Sequence, residues 1–186
     1  KKEGYELFDG INIPSKAFGE WVEEEYKTPH IKPRELAKKI KSNKNILVLD
    51  GRTIEEFRTM NIPTAINCPN MEIPVRIIDK IDSHTEIIIG CAGRTRSIIG
   101  TQNLINYGIK NSVKALENGT QGWFLANLKL QHNQNKRLCL SKLTKKKLFE
   151  EKSRYLIKKF NLKTINFNKT KIFLEGKNST TYVFNI

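Results

Sequence analysis

The chain has 186 residues and a formal net charge of +14, a length that allows one compact domain with an additional segment or two small domains. Its three cysteines and three histidines form no C-x-x-C or H-x3-H pair, which argues against a disulfide framework and a structural zinc site and predicts free thiols in a reducing cytoplasm. No apolar run is long enough to span a bilayer and no signal-peptide pattern opens the sequence, so we expect no membrane partner.

Five apolar segments are predicted to form β-strands. Two of them, Ile46–Asp50 and Glu86–Gly90, are continuous apolar runs of the kind that is buried on both faces of a parallel sheet. Shorter strand candidates are His30–Ile31, Ala65–Cys68 and Val113–Leu116.

Helical patterns lie between these strands. Pro33 suits the first turn of a helix through Arg34–Ile40. Another helix is expected to begin near Ser97, and Gly108 is placed to end it. Because strands alternate with helices at short spacing, we expect an α/β domain with right-handed crossovers.

The sequence changes character after about residue 131. Residues 132–137 are polar and without periodicity, which is typical of a linker, and a basic helix is predicted from roughly Leu143 to Phe160. Residues 133–186 carry 14 Lys and Arg against 3 Asp and Glu, so most of the basic excess lies in this tail. Its last residues, Tyr182–Phe184 among them, have the pattern of a β-strand.

The stretch GCAGRTRS, from Gly90 to Ser97, joins the second long apolar strand to the helix that follows. Ligands of open α/β folds bind at such a carboxyl edge, where loop amides and a helix N-terminus form a cradle for negative charge. A thiolate at this position would be stabilised by those amides, by the helix dipole and by a nearby arginine. We therefore predict that Cys91 is a nucleophile rather than an inert buried thiol. The predicted substrate-binding residues are Ala92, Gly93, Arg94, Thr95, Arg96 and Ser97.

Other residues near the strand ends are given less direct roles. Cys68 could face the same crevice as a resolving thiol, although a small core residue is the better interpretation. We interpret Asp50 and Arg52 as an ion pair that supports the loop structurally. Surface or capping positions are predicted for His30, His84 and His132.

Four motifs, in the right order, resemble those of rhodanese-like domains. Residues 50–57, DGRTIEEF, are similar to the family's Asp-x-Arg-x3-Glu-Phe signature, and residues 60–65, MNIPTA, to its Gly-His-Ile-Pro-Gly-Ala. Residues 115–123, ALENGTQGW, resemble the closing Leu-x-Gly-Gly-x3-Trp, with Asn118 in place of the first glycine. The Cys91 loop falls at the position of the family's active-site loop. The resemblance covers roughly residues 28–132.

The resemblance implies a three-layer α/β fold, with a central five-stranded parallel sheet and helices on both faces. It also implies a sulfurtransferase that needs no cofactor. Cys91 would take a sulfane sulfur from a small anionic donor, thiosulfate or a persulfide, hold it as a persulfide, and pass it to a thiol or cyanide acceptor.

The flanking segments resemble those of proteins with several rhodanese-like repeats in tandem. On that basis residues 1–27 are expected to be a connector from a preceding repeat, and residues 133–162 a linker and basic helix. Residues 163–186 would then be the truncated start of another repeat. Other rhodanese-like repeats of the same longer chain are therefore predicted partners.

Two alternatives stay open. A cysteine phosphatase needs Cys-x5-Arg, in which a longer loop holds a phosphate and the arginine clamps it, but the residue six after Cys91 is Ser97, and Arg96 comes one position early. A non-catalytic or sulfur-relay module could bind a protein or RNA partner through the lysines of the tail. Because a solvated helix face explains those lysines more simply, nucleic acid is not the expected partner.

Overall fold

The computed structural model describes residues 16–42, 45–77, 81–139, 146–176 and 180–181. The chain divides into two compact units, Lys1–Lys145 and Lys146–Ile186. The strand predicted at residues 182–184 lies outside the described residues, as does most of the predicted connector. No described helix is long and apolar enough to cross a membrane.

A five-stranded sheet forms the centre of the first unit. In chain order its strands are β1 (His30–Ile31), β2 (Ile46–Asp50), β3 (Ile66–Asn67), β4 (Glu86–Gly90) and β5 (Val113–Leu116). Their order across the sheet is β1-β5-β4-β2-β3, and each neighbouring pair is parallel. The two longest strands, β2 and β4, lie side by side near the centre, which is why their sequences are apolar at consecutive positions.

The described part of the first unit contains six helices, four of which lie between consecutive strands. They are α1 (residues 16–26), α2 (Pro33–Lys41), α3 (Ile54–Thr59), α4 (Ile73–Ile77), α5 (Thr95–Tyr107) and α6 (Gly119–Leu125), with a 3-10 turn at Asn70–Glu72. A capping box begins α3, because the Thr53 side chain accepts from the Glu56 amide while the Glu56 carboxylate accepts from the Thr53 amide. As predicted, α5 ends at Gly108, which has a φ of 83° that glycine adopts without strain.

Two apolar clusters lie on the two faces of the sheet. One contains Leu36 of α2, Phe57 of α3 and Trp123 of α6. The other contains Ile77 of α4 and Leu104 of α5. Helices therefore cover both faces, and the predicted α/β three-layer fold with a five-stranded parallel sheet is confirmed.

Residues beyond 132, where the predicted domain ends, still make contacts with the first unit. The Asn67 amide donates to the Lys136 carbonyl at 2.9 Å, and the Asn67 carbonyl accepts from the Leu138 amide at 3.0 Å. Leu138 also packs against the cluster around Leu104. These residues extend the edge of the sheet beside β3 through backbone hydrogen bonds, which a polar composition without periodicity does not reveal.

The second unit contains two helices, α7 (Lys146–Lys159) and α8 (Phe167–Glu175). The basic helix predicted from roughly Leu143 to Phe160 is thus present as α7. Asn166 caps α8 by accepting from the Lys169 amide at 2.9 Å. None of the residues of this unit whose burial is described is buried, so the unit has no apolar core within that part of the chain.

Candidate active site

Cys91 directly follows the last residue of β4 and is 1% exposed. Gly90 pairs with Asp50 of β2, so the thiol lies at the carboxyl edge of the two central strands. The loop after it is short, because α5 begins at Thr95 rather than near Ser97 as predicted. Thr95, Arg96 and Ser97 therefore form the first turn of the helix. No Gly or Pro follows Gly93 in this stretch, so nothing in the sequence delays the helix.

The beginning of α6 holds the Cys91 loop in place. The Thr120 amide donates to the Cys91 carbonyl at 2.8 Å, and the Gln121 amide donates to the Ala92 carbonyl at 3.0 Å. A Cβ on Gly119 would lie 2.1 Å from the Cys91 carbonyl oxygen, and its φ is 51°, so only glycine fits. Asn118 has a φ of 53°, which asparagine tolerates better than most residues. Asn118, which replaces the first glycine of the family's Gly-Gly pair, therefore allows the same turn.

Arg96 lies in a fixed position close to Cys91. Its guanidinium donates two hydrogen bonds to the Glu56 carboxylate, at 2.7 and 2.8 Å. These bonds are the main cause of the raised pKa of Arg96, to which Cys91 and Asp50 add smaller electrostatic contributions. The same bonds lower the pKa of Glu56. Arg96 therefore keeps its positive charge in the first turn of α5, five residues after Cys91.

Arg94, the arginine within the loop, is bound by carboxylates of α1. Its guanidinium donates to Glu20 at 3.2 Å and also to Glu23. Beside this contact is a cavity of about 310 Å³. Its lining residues include Lys16, Gly93, Thr95 and Gln121. The two loop arginines thus have different surroundings, since Arg96 is held by α3 and Arg94 by α1.

Asp50 and Arg52 form a buried ion pair at the end of β2. The Arg52 guanidinium donates to both carboxylate oxygens of Asp50, at 2.9 and 2.7 Å, and to the Met60 carbonyl at 2.6 Å. Both side chains are less than 5% exposed. The predicted pair is therefore present at the strand end next to Cys91, while its role in holding the loop stays a prediction.

Cys68 is fully buried and belongs to the apolar cluster around Leu104. Asp50 pairs with Gly90 on one side and with Asn67 on the other, so Cys91 and Cys68 follow strands separated by β2. Two strand spacings amount to about 9.5 Å, beyond the roughly 7 Å between Cα atoms that a disulfide can join. The position supports a core role for Cys68 rather than a resolving one.

The three histidines lie on the surface, as predicted. His30 contacts Glu23 at 3.6 Å and Glu117 at 3.3 Å. His132 donates from Nδ1 to the Thr59 carbonyl at 2.6 Å.

Sequence reasoning did not identify two groups that position the site. Glu56 was noted only as part of a motif, although the Thr53-x-x-Glu56 spacing is a recognisable capping box. Asn70 donates to the Arg96 carbonyl at 2.7 Å, and its side chain fills space that a Cβ on Gly51 or Gly100 would occupy. No local pattern indicates this role, because the contacts come from three separate elements.

The comparisons with known proteins agree with this arrangement. The rhodanese-like domain family matches residues 23–126, more than half of the chain. The chain therefore belongs to the rhodanese-like domain family.

A thiosulfate sulfurtransferase from Pseudomonas aeruginosa is 38% identical to the chain, with a TM-score of 0.86. The match covers 92% of this chain and 33% of that protein, so the chain spans about a third of its length. No curated protein matches the chain.

Two more distant structures share the fold. A protein from Bacillus halodurans is 22% identical with a TM-score of 0.52, over 73% of this chain and 98% of that one. A Rhodopseudomonas palustris protein described as a possible tyrosine phosphatase is 19% identical with a TM-score of 0.52, over 63% and 93% of the two chains. At these identities the likeness concerns the fold alone.

Proposed function

We propose that the chain is a sulfurtransferase that carries a sulfane sulfur on Cys91. The donor is thiosulfate or a persulfide, and the acceptor is a thiol or cyanide. One observation carries the proposal: the Cys91 thiol stands between the carboxyl end of β4 and the first turn of α5, the turn in which Glu56 holds Arg96. The 38% identical thiosulfate sulfurtransferase adds support for this type of reaction.

In the first step the Cys91 thiolate attacks the outer sulfur of thiosulfate. A new S–S bond forms, the S–S bond of thiosulfate breaks, and sulfite leaves with the electron pair. In the second step cyanide attacks the terminal sulfur of the Cys91 persulfide. Thiocyanate leaves and the thiolate is regenerated, so the two steps need no external oxidant or reductant.

The surrounding residues stabilise negative charge during both steps. The thiolate and the persulfide anion each lie at the N-terminus of α5, whose first amides have no acceptor within the helix. Arg96 adds a positive charge whose position is set by Glu56. The low exposure of Cys91 keeps water away from the persulfide and strengthens these interactions.

The length of the loop disfavours the phosphatase alternative. That chemistry needs Cys-x5-Arg, and Arg96 comes one position too early for it. A non-catalytic module is disfavoured because the thiol and its anion-stabilising surroundings are all present.

Mass spectrometry after incubation with thiosulfate tests the proposal. We expect the mass to rise by one sulfur atom on Cys91, and cyanide to remove it with release of thiocyanate. The matched controls are Cys91→Ser, which should take up no sulfur, and Cys139→Ser, which removes an exposed thiol and should change nothing. Sulfur uptake by the Cys91→Ser variant, or no uptake by the parent protein, would contradict the proposal.

We also propose that the chain acts beside other rhodanese-like repeats of a longer cytoplasmic protein. In support, the thiosulfate sulfurtransferase from Pseudomonas aeruginosa is about three times as long as the matched region. The exposed apolar side chains of the second unit, Phe167 and Phe173 among them, need further residues to cover them. Expression of the chain together with the neighbouring sequence should protect α8 from hydrogen exchange, and unchanged exchange would contradict this placement.

A further inference from the structure

Each arginine around the Cys91 loop is bound to a carboxylate. Arg52 pairs with Asp50, and Arg96 pairs with Glu56. Arg94 is bound by both Glu20 and Glu23 and is 48% exposed. An arginine paired in this way offers an incoming anion much less attraction than a free one.

The two carboxylates that bind Arg94 are held in place by the packing of α1. Val22 of this helix is buried against Ile98 of α5 and Ala115 of β5. A Cβ on Gly19 would lie 2.9 Å from the Thr95 side chain, so α1 and the first turn of α5 are in close contact. Glu23 is only 18% exposed. Its charge is therefore less screened by water than that of a surface carboxylate.

Two carboxylates surround the Arg94 guanidinium. Lys16 is a second cation that lines the cavity beside it. Glu20 and Glu23 therefore offset positive charge that would otherwise attract an anion to this side of the loop. A donor with two negative charges must approach against these carboxylates or displace them from Arg94. A donor with a single charge on its terminal sulfur meets a smaller barrier.

We propose that Glu20 and Glu23 determine donor specificity by disfavouring dianionic donors such as thiosulfate relative to singly charged persulfides. The inference rests on the proposed sulfur transfer to Cys91. With a persulfide donor, the Cys91 thiolate attacks the outer sulfur, the donor S–S bond breaks, and the donor thiolate leaves. The chemistry is thus the same for both classes of donor, and only the charge brought to the loop differs.

Steady-state kinetics with two donors of different charge test the proposal. Thiosulfate is the dianion, benzenethiosulfonate is a monoanion with the same kind of sulfane sulfur, and cyanide is the acceptor for both. In Glu20→Gln/Glu23→Gln we expect kcat/KM for thiosulfate to rise roughly three- to tenfold relative to that for benzenethiosulfonate, mainly through KM. The gain should shrink as salt is added.

The matched control is Glu24→Gln/Glu25→Gln. Both residues are exposed on α1, neither bonds to Arg94, and their replacement changes the net charge equally. In this control we expect the ratio of kcat/KM for thiosulfate to kcat/KM for benzenethiosulfonate to stay at the parent value. An equal change in both double variants, or no change in either, would overturn the proposal.

A second measurement does not depend on sulfur transfer. Alkylation of Cys91 by iodoacetate, which is anionic, is compared with alkylation by neutral iodoacetamide, each followed by peptide mass spectrometry. We expect the iodoacetate rate to rise severalfold relative to the iodoacetamide rate in Glu20→Gln/Glu23→Gln and not in the control. If this rate ratio rises but the protein transfers no sulfur, the carboxylates repel anions as proposed and the proposed sulfurtransferase function is wrong. If the rate ratio does not change, the carboxylates do not have the proposed role.

Discussion

Glu56 and Arg96 join the first turns of α3 and α5 through two parallel hydrogen bonds of 2.7 and 2.8 Å. The Glu56 carboxylate also accepts from the Thr53 amide in the capping box of α3. On the other side, Asn70 binds the Arg96 carbonyl. Both ends of Arg96 are therefore fixed by neighbouring elements, and the position of its charge near Cys91 does not depend on a bound donor.

Glu56→Gln should loosen Arg96 without removing its charge. Because a neutral amide binds a guanidinium more weakly than a carboxylate does, we expect kcat/KM for sulfur transfer to fall by roughly three- to thirtyfold. Glu55→Gln is the control, since Glu55 is the exposed neighbour on the same helix. Steady-state release of thiocyanate measures both variants. Equal rates in parent and Glu56→Gln would show that the pair has no positioning role.

The contribution of Glu56 to stability should depend on pH. The Arg96 hydrogen bonds lower its pKa in the folded protein, so the stabilisation is complete above the pKa of an unfolded glutamate. It is lost as the pH falls through the lowered folded value. Urea unfolding from about pH 7 to about pH 3 should show a stability difference between parent and Glu56→Gln that is constant near neutrality and shrinks in acid. A difference that grows in acid would contradict this assignment.

Much of the fold follows from local sequence patterns. The apolar runs at Ile46–Asp50 and Glu86–Gly90 predict the central strands because a strand buried on both faces cannot alternate with polar residues. Gly108 predicts the end of α5 because few other residues adopt its φ. The place of Cys91 follows from the same reasoning, since it comes after a buried strand and before a helix.

The contacts around the site could not be predicted in the same way. Asn70 and Glu56 reach Arg96 from different elements, and no spacing along the chain records such contacts. Glu20 and Glu23 were not identified because they lie in the predicted connector, some 70 residues before the loop that they contact. Long-range ion pairs depend on the tertiary fold, so a one-dimensional pattern carries no signal for them.

Gly119→Ala should disrupt the Cys91 loop. The added methyl group would lie 2.1 Å from the Cys91 carbonyl oxygen, at a residue whose φ is 51°. We expect a loss of at least about 2 kcal/mol in the free energy of unfolding, with slower sulfur uptake in the folded fraction. The control is Asn118→Gly, which suits the φ of 53° at that position and should cost little. Similar stabilities for the two variants would contradict the steric argument.

Thr64→Gly should stabilise the protein. Thr64 stands where the family motif has a glycine, and its φ of 71° is unfavourable for a β-branched residue. The free energy gained by relieving that strain exceeds the entropic cost of a more flexible unfolded chain. We therefore expect the free energy of unfolding to rise by about 1 kcal/mol. Thr59→Gly is the contrasting variant, because Thr59 is helical in α3 and its replacement should destabilise by about 1 kcal/mol. Thermal unfolding of both variants gives the comparison, and a destabilised Thr64→Gly would show that no strain is stored there.

Two truncations should separate the domain from the segment that follows it. A chain that ends at residue 145 keeps the backbone hydrogen bonds between Asn67 and residues 136 and 138, together with the packing of Leu138. A chain that ends at residue 132 loses these contacts. It also loses the Leu138 carbonyl that accepts from Arg76, a side chain that is 7% exposed.

We expect the chain ending at residue 145 to retain sulfur transfer within a few-fold of the full chain, because every described residue that bonds to the Cys91 loop or its arginines precedes that point. The chain ending at residue 132 should have a free energy of unfolding lower by about 2–4 kcal/mol. The reason is that the edge of β3 and the buried guanidinium of Arg76 lose hydrogen-bond partners. Chemical unfolding and thiocyanate release measured on both chains decide the matter. Equal stability would put the end of the domain at residue 132 after all, whereas loss of activity in a folded chain ending at residue 145 would mean that the second unit takes part in the reaction.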